Sequence, residues 1–236
     1  MKRIRVPRDS AQDSKEKLLV SAEQLFAERG FDGVSVRDIT NAAGVNSALL
    51  GYYFGGKQGL LSEVYKRHCT PLIQERLRLL KEFSETPKGP TLEQVLEAFI
   101  RPSLEVTIDK HGRSNFTRLR AILSGENSAL LERMIAKNFD PSSRTFVDVL
   151  CKCLPHLTRE DVLWRFHFLL GAIYYTGAGL HRVRALSDGR CDPSDPVASA
   201  EEMIPFLAAG FRAQRSKRSA RRSPTGRGGK KAVKLQ

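Results

Sequence analysis

The stretch at residues 35–54, SVRDITNAAGVNSALLGYYF, predicts two short helices joined by a tight turn. Ser35 and Asp38 have the spacing of a capping box, which starts the first helix. Gly44 stands where helices commonly end in a left-handed residue, so we expect the first helix to end there. The apolar positions of this helix fall on one face, at Val36, Ile39 and Ala43.

The second helix of this stretch follows after a connection of only three or four residues. Either Asn46 or Ser47 can cap it, and it runs through Ala48 to Tyr53. A connection of this length joins the two helices of a helix-turn-helix unit, whose second helix enters the major groove of DNA. An ordinary helical hairpin has the same spacing, so this stretch alone leaves both interpretations open.

The flanking residues favour the DNA-binding interpretation. Upstream, residues 14–33 carry an apolar stripe on a long helix that ends at Gly30, after which Phe31 can fold back onto a three-helix core. Downstream, two glycines interrupt the chain and another helix begins at Lys57. The upstream stripe consists of Leu18, Leu19, Ala22, Leu25 and Phe26.

With these flanks, residues 14–65 resemble the DNA-binding domain of the tetracycline-repressor (TetR) family of bacterial transcriptional regulators. The resemblance rests on LFAERGF at residues 25–31, VSVRDITNAAGV at 34–45, and YYFGGK at 52–57 followed by leucine. It implies an all-α fold with an N-terminal three-helix helix-turn-helix domain. A larger α-helical domain for ligand binding and dimerisation would follow.

The resemblance also implies which residues face DNA. Ser35 and Arg37 would touch the backbone, while Tyr52 and Lys57 would each pair with a phosphate. Tyr53 is expected in the core. Phosphate contacts fix position and base contacts give specificity, and an asparagine can bond adenine through two hydrogen bonds. The major-groove face would consist of Asn46, Ser47, Ala48 and Gly51.

Charge is concentrated at the two ends of the chain. The formal net charge is +13, yet four basic residues lie in residues 1–8 and ten in residues 212–236, which leaves 25 basic and 26 acidic residues elsewhere. We expect a basic arm at 1–13, a DNA-binding domain at 14–57, a helical domain at 58–213 and a disordered basic tail at 214–236. The arm can reach the DNA backbone or minor groove, and the tail is either a DNA tether or an inert extension.

Composition and motifs argue against several other classes of protein. The sequence contains no apolar run long enough for a membrane span and no signal-peptide pattern, so we expect a cytoplasmic protein. It contains no catalytic motif, so we expect no enzyme and no cofactor. Cys151 and Cys153 lie near His156, but residues two apart on a helix point about 200° apart, which favours reduced thiols over a metal site.

The remaining sequence predicts helices throughout. The predicted helices span residues 57–83, which Pro71 should kink or split, then 91–108, 115–124, 127–138, 141–153, 159–183 and 197–213. The helix from residue 159 is apolar nearly all round and must be buried on both sides. This predicts a homodimer in which helices about 159–184 and 197–213 of each subunit form a four-helix bundle.

Residues 115–126 and 154–172 resemble, more weakly, family members that respond to fatty-acid-like or other lipophilic effectors. Arg120 could anchor a carboxylate or phosphate, but a surface ion pair for Arg120 and an ordinary core for the aromatic candidates are the favoured alternatives. The sequence thus predicts a repressor released from a palindromic operator by a lipophilic effector, with a low-specificity architectural DNA binder as the alternative. The candidate effector contacts are Phe99, Phe116, Arg120, Trp164, His167 and Phe168.

Overall fold

The computed structural model describes residues 8–105, 119, 129–177 and 182–214. The described residues form helices with no strand, which confirms the all-α fold class. None of the helices in these ranges has the length and apolarity needed to cross a membrane. The helices are α1 (Arg8–Arg29), α2 (Val36–Ala43), α3 (Ser47–Phe54), α4 (Lys57–Ser84), α5 (Leu92–Glu105), α6 (Ala129–Cys153), α7 (Arg159–Gly177), α8 (Arg182–Leu186) and α9 (Pro196–Arg212).

The first three helices pack as the predicted three-helix unit. Gly30 has a φ of 73° and ends α1, after which the ring of Phe31 packs 5.7 Å from that of Phe26. The helix begins at Arg8, inside the stretch 1–13 predicted as a basic arm. An i,i+4 ion pair of 2.7 Å between Asp13 and Lys17 supports this first part of the helix. We call the buried cluster here the N-terminal core; it includes Leu18, Ala22, Phe26, Ile39, Leu50, Leu60, Leu61, Val64 and Tyr65.

The long helix α4 connects two apolar cores. It continues through Pro71, so the proline does not split it. Cys69 and Leu72 on either side of the proline are buried in the N-terminal core, and this packing keeps the helix continuous despite the missing backbone hydrogen bond. Leu80, further along, packs into a second cluster, the C-terminal core.

The prediction of two helices at 127–138 and 141–153 was wrong, because α6 is a single helix with Pro141 in its interior. Met134 and Phe139 belong to the N-terminal core, whereas Phe146 belongs to the C-terminal core. The helix is therefore anchored by packing on both sides of the proline, which outweighs one lost hydrogen bond. The Ser142 hydroxyl also donates to the Phe139 carbonyl at 2.9 Å.

The C-terminal core is formed by α5, α6, α7, α9 and the end of α4, around the ring of Phe99. That ring lies 4.9 Å from the ring of Phe146 and 5.1 Å from the ring of Phe166. Capping boxes lie at the starts of α5 and α7, with a Thr91 N–H to Gln94 Oε1 distance of 2.8 Å in the first. The core contains Val95, Leu96, Phe99, Phe146, Leu150, Val162, Phe166, Leu169, Leu207 and Phe211.

Several predictions fall on residues outside the described ranges. They are the helix at 115–124 apart from Leu119, which is helical and buried, the tail beyond Gln214, and the continuations of α5 past Glu105 and of α7 past Gly177.

Candidate nucleic-acid interface and effector region

A capping box fixes the start of α2. The Ser35 hydroxyl accepts from the Asp38 N–H at 3.1 Å, and Asp38 Oδ2 accepts from the Ser35 hydroxyl and N–H at 2.6 and 2.8 Å. The hydrogen bond from the Ser35 hydroxyl is the main cause that lowers the pKa of the Asp38 carboxyl below its usual range. The bond from the Ser35 N–H lowers this pKa further. Gly44 ends α2 with a φ of 63°, as predicted. Arg37, in the first turn, is exposed.

Asn46 caps α3, which decides between the two candidate capping residues. Its side-chain Oδ1 accepts from the Ala48 N–H at 2.9 Å. This oxygen is one of the two groups that a paired contact with adenine would need. The structure therefore gives Asn46 a capping role first and leaves its side-chain N–H groups as the donors available to a base.

The outer face of α3 is exposed and carries small side chains. Ser47, Ala48, Gly51 and Tyr52 lie on it, and the Tyr52 side chain is 80% exposed. A Cβ atom added at Gly51 would meet no atom of another element within 4 Å, so none of the described residues occupies the space in front of it. A flat helix surface of this kind allows a close approach to the floor of a groove.

The inner face of the same helix is buried. Leu50 and Phe54 belong to the N-terminal core, and Tyr53 packs against it, as predicted. The Tyr53 hydroxyl oxygen is buried and has no hydrogen-bond partner among the described residues. The structure thus holds α3 rigidly by one face and presents the other to solvent.

The Lys57 ammonium group is turned inward. Its Nζ donates to the carbonyls of Phe31 at 2.9 Å and Val34 at 2.8 Å, and lies 4.1 Å from the centre of the Phe31 ring. These contacts join the first turn of α4 to the connection between α1 and α2. The sequence analysis predicted that Lys57 contacts a phosphate, whereas two of the three N–H groups of its ammonium donate to these two carbonyls.

The structure separates the candidate effector contacts. Phe99 is buried in the C-terminal core, while Trp164, His167 and Phe168 form an exposed group on the outer face of α7. Their ring centres lie 5.8 to 6.1 Å apart. Phe116 and Arg120 lie outside the described residues. The exposed group therefore does not share a site with Phe99 within one chain.

Sequence reasoning missed a buried arginine on α4. Arg76 is 4% exposed, and its Nε donates to the Phe99 carbonyl at 3.0 Å. Its Nη2 donates to the hydroxyl of Ser103, which is equally buried, at 2.5 Å. The available signal was its position, because Arg76 falls in helical register with the apolar residues Leu72 and Leu80.

The outer faces of α7 and α9 are apolar and exposed. The residues with large exposed side chains are Leu163, Trp164, Phe168 and Tyr175 on α7, and Val197 and Phe206 on α9. Gly171 and Gly210 are also exposed, and within the described part of the chain a Cβ atom added at either would meet no atom of another element within 4 Å. Both glycines leave room for the close approach of another helix.

The cysteines do not form a metal centre in the described part of the chain. No group of three or more histidine, cysteine or acidic side chains there is placed to hold a metal ion. The Cys153 thiol donates to the Pro90 carbonyl at 3.4 Å, and burial raises its pKa. Cys151 and Cys153 are free thiols.

Comparison with known proteins identifies both parts of the chain. Residues 18–64 match the model of bacterial regulatory proteins of the tetR family, and residues 97–210 match that of the tetracyclin repressor-like C-terminal domain. The HTH-type transcriptional repressor BdcR of Escherichia coli (strain K12) is 32% identical over 100 residues, which cover 42% of this chain and 50% of BdcR.

One further relative is similar to this chain in sequence, and one solved structure is similar to it in fold. The probable HTH-type transcriptional regulator YttP of Bacillus subtilis (strain 168) is 44% identical over 63 residues, 25% of this chain and 30% of YttP. The matched segments thus span half or less of these relatives' own lengths. The structure of the regulator FadR from Bacillus subtilis in complex with stearoyl-CoA aligns with a TM-score of 0.58 at 18% identity, covering 83% of this chain and 98% of FadR.

Proposed function

Because the chain belongs to the tetracycline-repressor family of bacterial regulators, we propose that it is a cytoplasmic, homodimeric repressor that a lipophilic effector releases from a palindromic operator. The exposed outer face of α3, behind a capped turn, is the observation that carries this proposal. A small-residue surface on a helix held by its other face suits the major groove.

The proposed DNA contacts follow from exposure and chemistry. Ser47, Ala48 and Gly51 face the bases, together with the side-chain N–H groups of Asn46. Tyr52 donates its hydroxyl to a phosphate, while Ser35 and Arg37 lie against the backbone at the start of α2. Phosphate contacts of this kind supply most of the affinity and make it depend on salt.

A substitution at Lys57 tests whether its contacts with the Phe31 and Val34 carbonyls hold the DNA-binding face of α3 in position. We expect Lys57→Met to lower operator affinity by roughly tenfold, because the hydrogen bonds of Lys57 to the Phe31 and Val34 carbonyls are lost. The slope of log affinity against log salt should stay unchanged, because no phosphate contact is lost. Arg37→Met is the matched control and should reduce that slope by about one. A similar reduction with Lys57→Met would instead identify Lys57 as a phosphate contact.

Two subunits are proposed to pair through α7 and α9. The exposed apolar side chains on these helices cluster on the two elements for which the sequence predicts a subunit interface. An isologous pairing of two helices from each subunit would cover both faces. Binding to a palindromic operator requires this pairing to place the two α3 helices on the same side of the duplex.

The proposed route from effector to DNA is α4. Its first turns belong to the N-terminal core, and Leu80 belongs to the C-terminal core. A shift of α4 relative to α5 would therefore move the DNA-binding helices and change the spacing of the half-sites that a dimer can bind.

Selection of genomic fragments by the purified protein tests the proposed function. We expect enrichment of one palindromic site whose half-sites are separated by a turn of DNA. Enrichment of fragments that share no common site would contradict the proposal of a sequence-specific repressor. It would favour the alternative of a low-specificity architectural DNA-binding protein. Deleting residues 214–236 should preserve the site preference of a repressor, whereas it would remove most of the binding of an architectural protein.

A further inference from the structure

The last turn of α9 is attached to two neighbouring helices. The Arg212 guanidinium pairs with the Glu93 carboxylate of α5 through contacts of 2.8 and 2.5 Å. The Arg165 guanidinium of α7 donates to the Phe211 carbonyl and, at 2.6 Å, to the Ala213 carbonyl. The last carbonyls of a helix have no donor within the helix, so these bonds also satisfy its end. The position at which the chain leaves α9 is therefore defined.

This position lies at the end of the fold that is remote from the DNA-binding helices. The helix α4 begins beside α3 and spans Lys57–Ser84, 28 residues or about 42 Å. The short connection at residues 85–91 leads from its end to the start of α5. Leu80 and Leu92, near the two ends of this connection, both belong to the C-terminal core. Glu93 therefore lies at the far end of α4, and it holds the end of α9 there.

The residues that follow this position carry positive charge only. Residues 215–234, which we call the basic segment, contain nine lysines and arginines and no acidic or aromatic residue. A DNA duplex presents a negative charge about every 1.7 Å along its axis and binds such residues without sequence preference. Stable attachment to a membrane needs an apolar or lipid signal besides the basic residues. The composition therefore favours nucleic acid as the partner.

The distance along the chain limits where these charges act. In a chain with random-coil dimensions, Lys234 would lie roughly 23–27 Å from Ala213. The operator bound by α3 lies beyond the start of α4, about 42 Å from the end of that helix. Extending the basic segment back toward the operator would cost conformational entropy. Most of its charges are therefore better placed for a partner on the side that faces away from the operator.

We propose that the basic segment binds the phosphates of a second DNA duplex while α3 holds the operator. A dimer formed through α7 and α9 carries two such segments, so one bound dimer joins two DNA segments. Binding of the second duplex is independent of its sequence and weakens as the salt concentration rises. This inference rests on the proposed function, because the operator complex supplies the first duplex.

Capture of a second duplex by operator-bound protein tests the proposal. Operator DNA is fixed to beads and loaded with the full chain, unbound protein is washed away, and a labelled duplex of unrelated sequence is added. The matched variant keeps the length of the chain and replaces the nine lysines and arginines of the basic segment by glutamine. We expect this glutamine variant to capture at least about tenfold less of the second duplex. Its affinity for the operator alone should stay within about threefold of that of the full chain.

A measurement without operator separates this proposal from the proposed function. Ala48→Glu alters the outer face of α3, and this variant should still bind a duplex of unrelated sequence through the basic segment. Adding the glutamine substitutions to Ala48→Glu should remove that binding. Failure to select any operator would refute the proposed function, whereas this comparison would still show whether the basic segment binds a duplex.

Several outcomes would overturn the proposal. Equal capture of the second duplex by the full chain and the glutamine variant would do so, as would no capture by the full chain. A loss of operator affinity of about tenfold or more in the glutamine variant would place the basic segment on the operator itself. Binding of the basic segment to vesicles of anionic lipid, without binding to the second duplex, would assign it to a membrane surface instead.

Discussion

The substitution Ala48→Glu is expected to abolish operator binding without unfolding the protein. Ala48 is exposed in the first turn of α3, and a carboxylate there would lie against bases and phosphates of the bound duplex. We expect a loss of affinity of at least about 100-fold, since steric conflict and charge repulsion both oppose the complex. The helix itself should tolerate the change, because an acidic side chain near a helix N-terminus is favourable.

The matched control is Ala136→Glu, the same change at an exposed position of α6. It alters the net charge equally, so any general effect of charge on DNA affinity appears in both variants. Fluorescence anisotropy with labelled operator measures the affinities, and thermal unfolding measures stability. Equal affinities of the two variants would show that the outer face of α3 is not the DNA-binding surface.

The sequence predicted the DNA-binding unit well because its signals are local. The capping box joins Ser35 to Asp38, three residues away, and the left-handed ending needs only Gly44. Interactions this short appear as fixed spacings in the sequence. The fold of the first domain and the exposed face of α3 therefore follow from the order of residues within a few helical turns.

Contacts between distant residues were not predictable in the same way. Lys57 donates to carbonyls 23 and 26 residues away, and Arg76 meets Phe99 across two helices. Two helices were predicted at 127–138 and 141–153, yet packing in both cores keeps α6 whole through Pro141. In each of these cases, tertiary packing determines the role of a residue whose local sequence indicates something else.

The substitution Phe206→Glu is expected to dissociate the proposed dimer, because Phe206 lies on the exposed apolar surface of α7 and α9. Phe206 is 74% exposed in the single chain, so its replacement should leave the fold of one subunit intact. In an isologous interface each substitution occurs twice, and two carboxylates would be buried together. We expect the dimer dissociation constant to rise at least about 100-fold, measured by analytical ultracentrifugation.

Leu186→Glu is the matched control for Phe206→Glu. Leu186 is exposed to a similar extent but lies on α8, outside the proposed interface, so this variant should remain dimeric. Operator affinity should fall with Phe206→Glu, because separate subunits lose the advantage of binding two linked half-sites. A Phe206→Glu protein that stays dimeric would place the subunit contact elsewhere. A wild-type protein that is monomeric and binds a single half-site would contradict the proposed dimer, since its affinity would then come from a single α3.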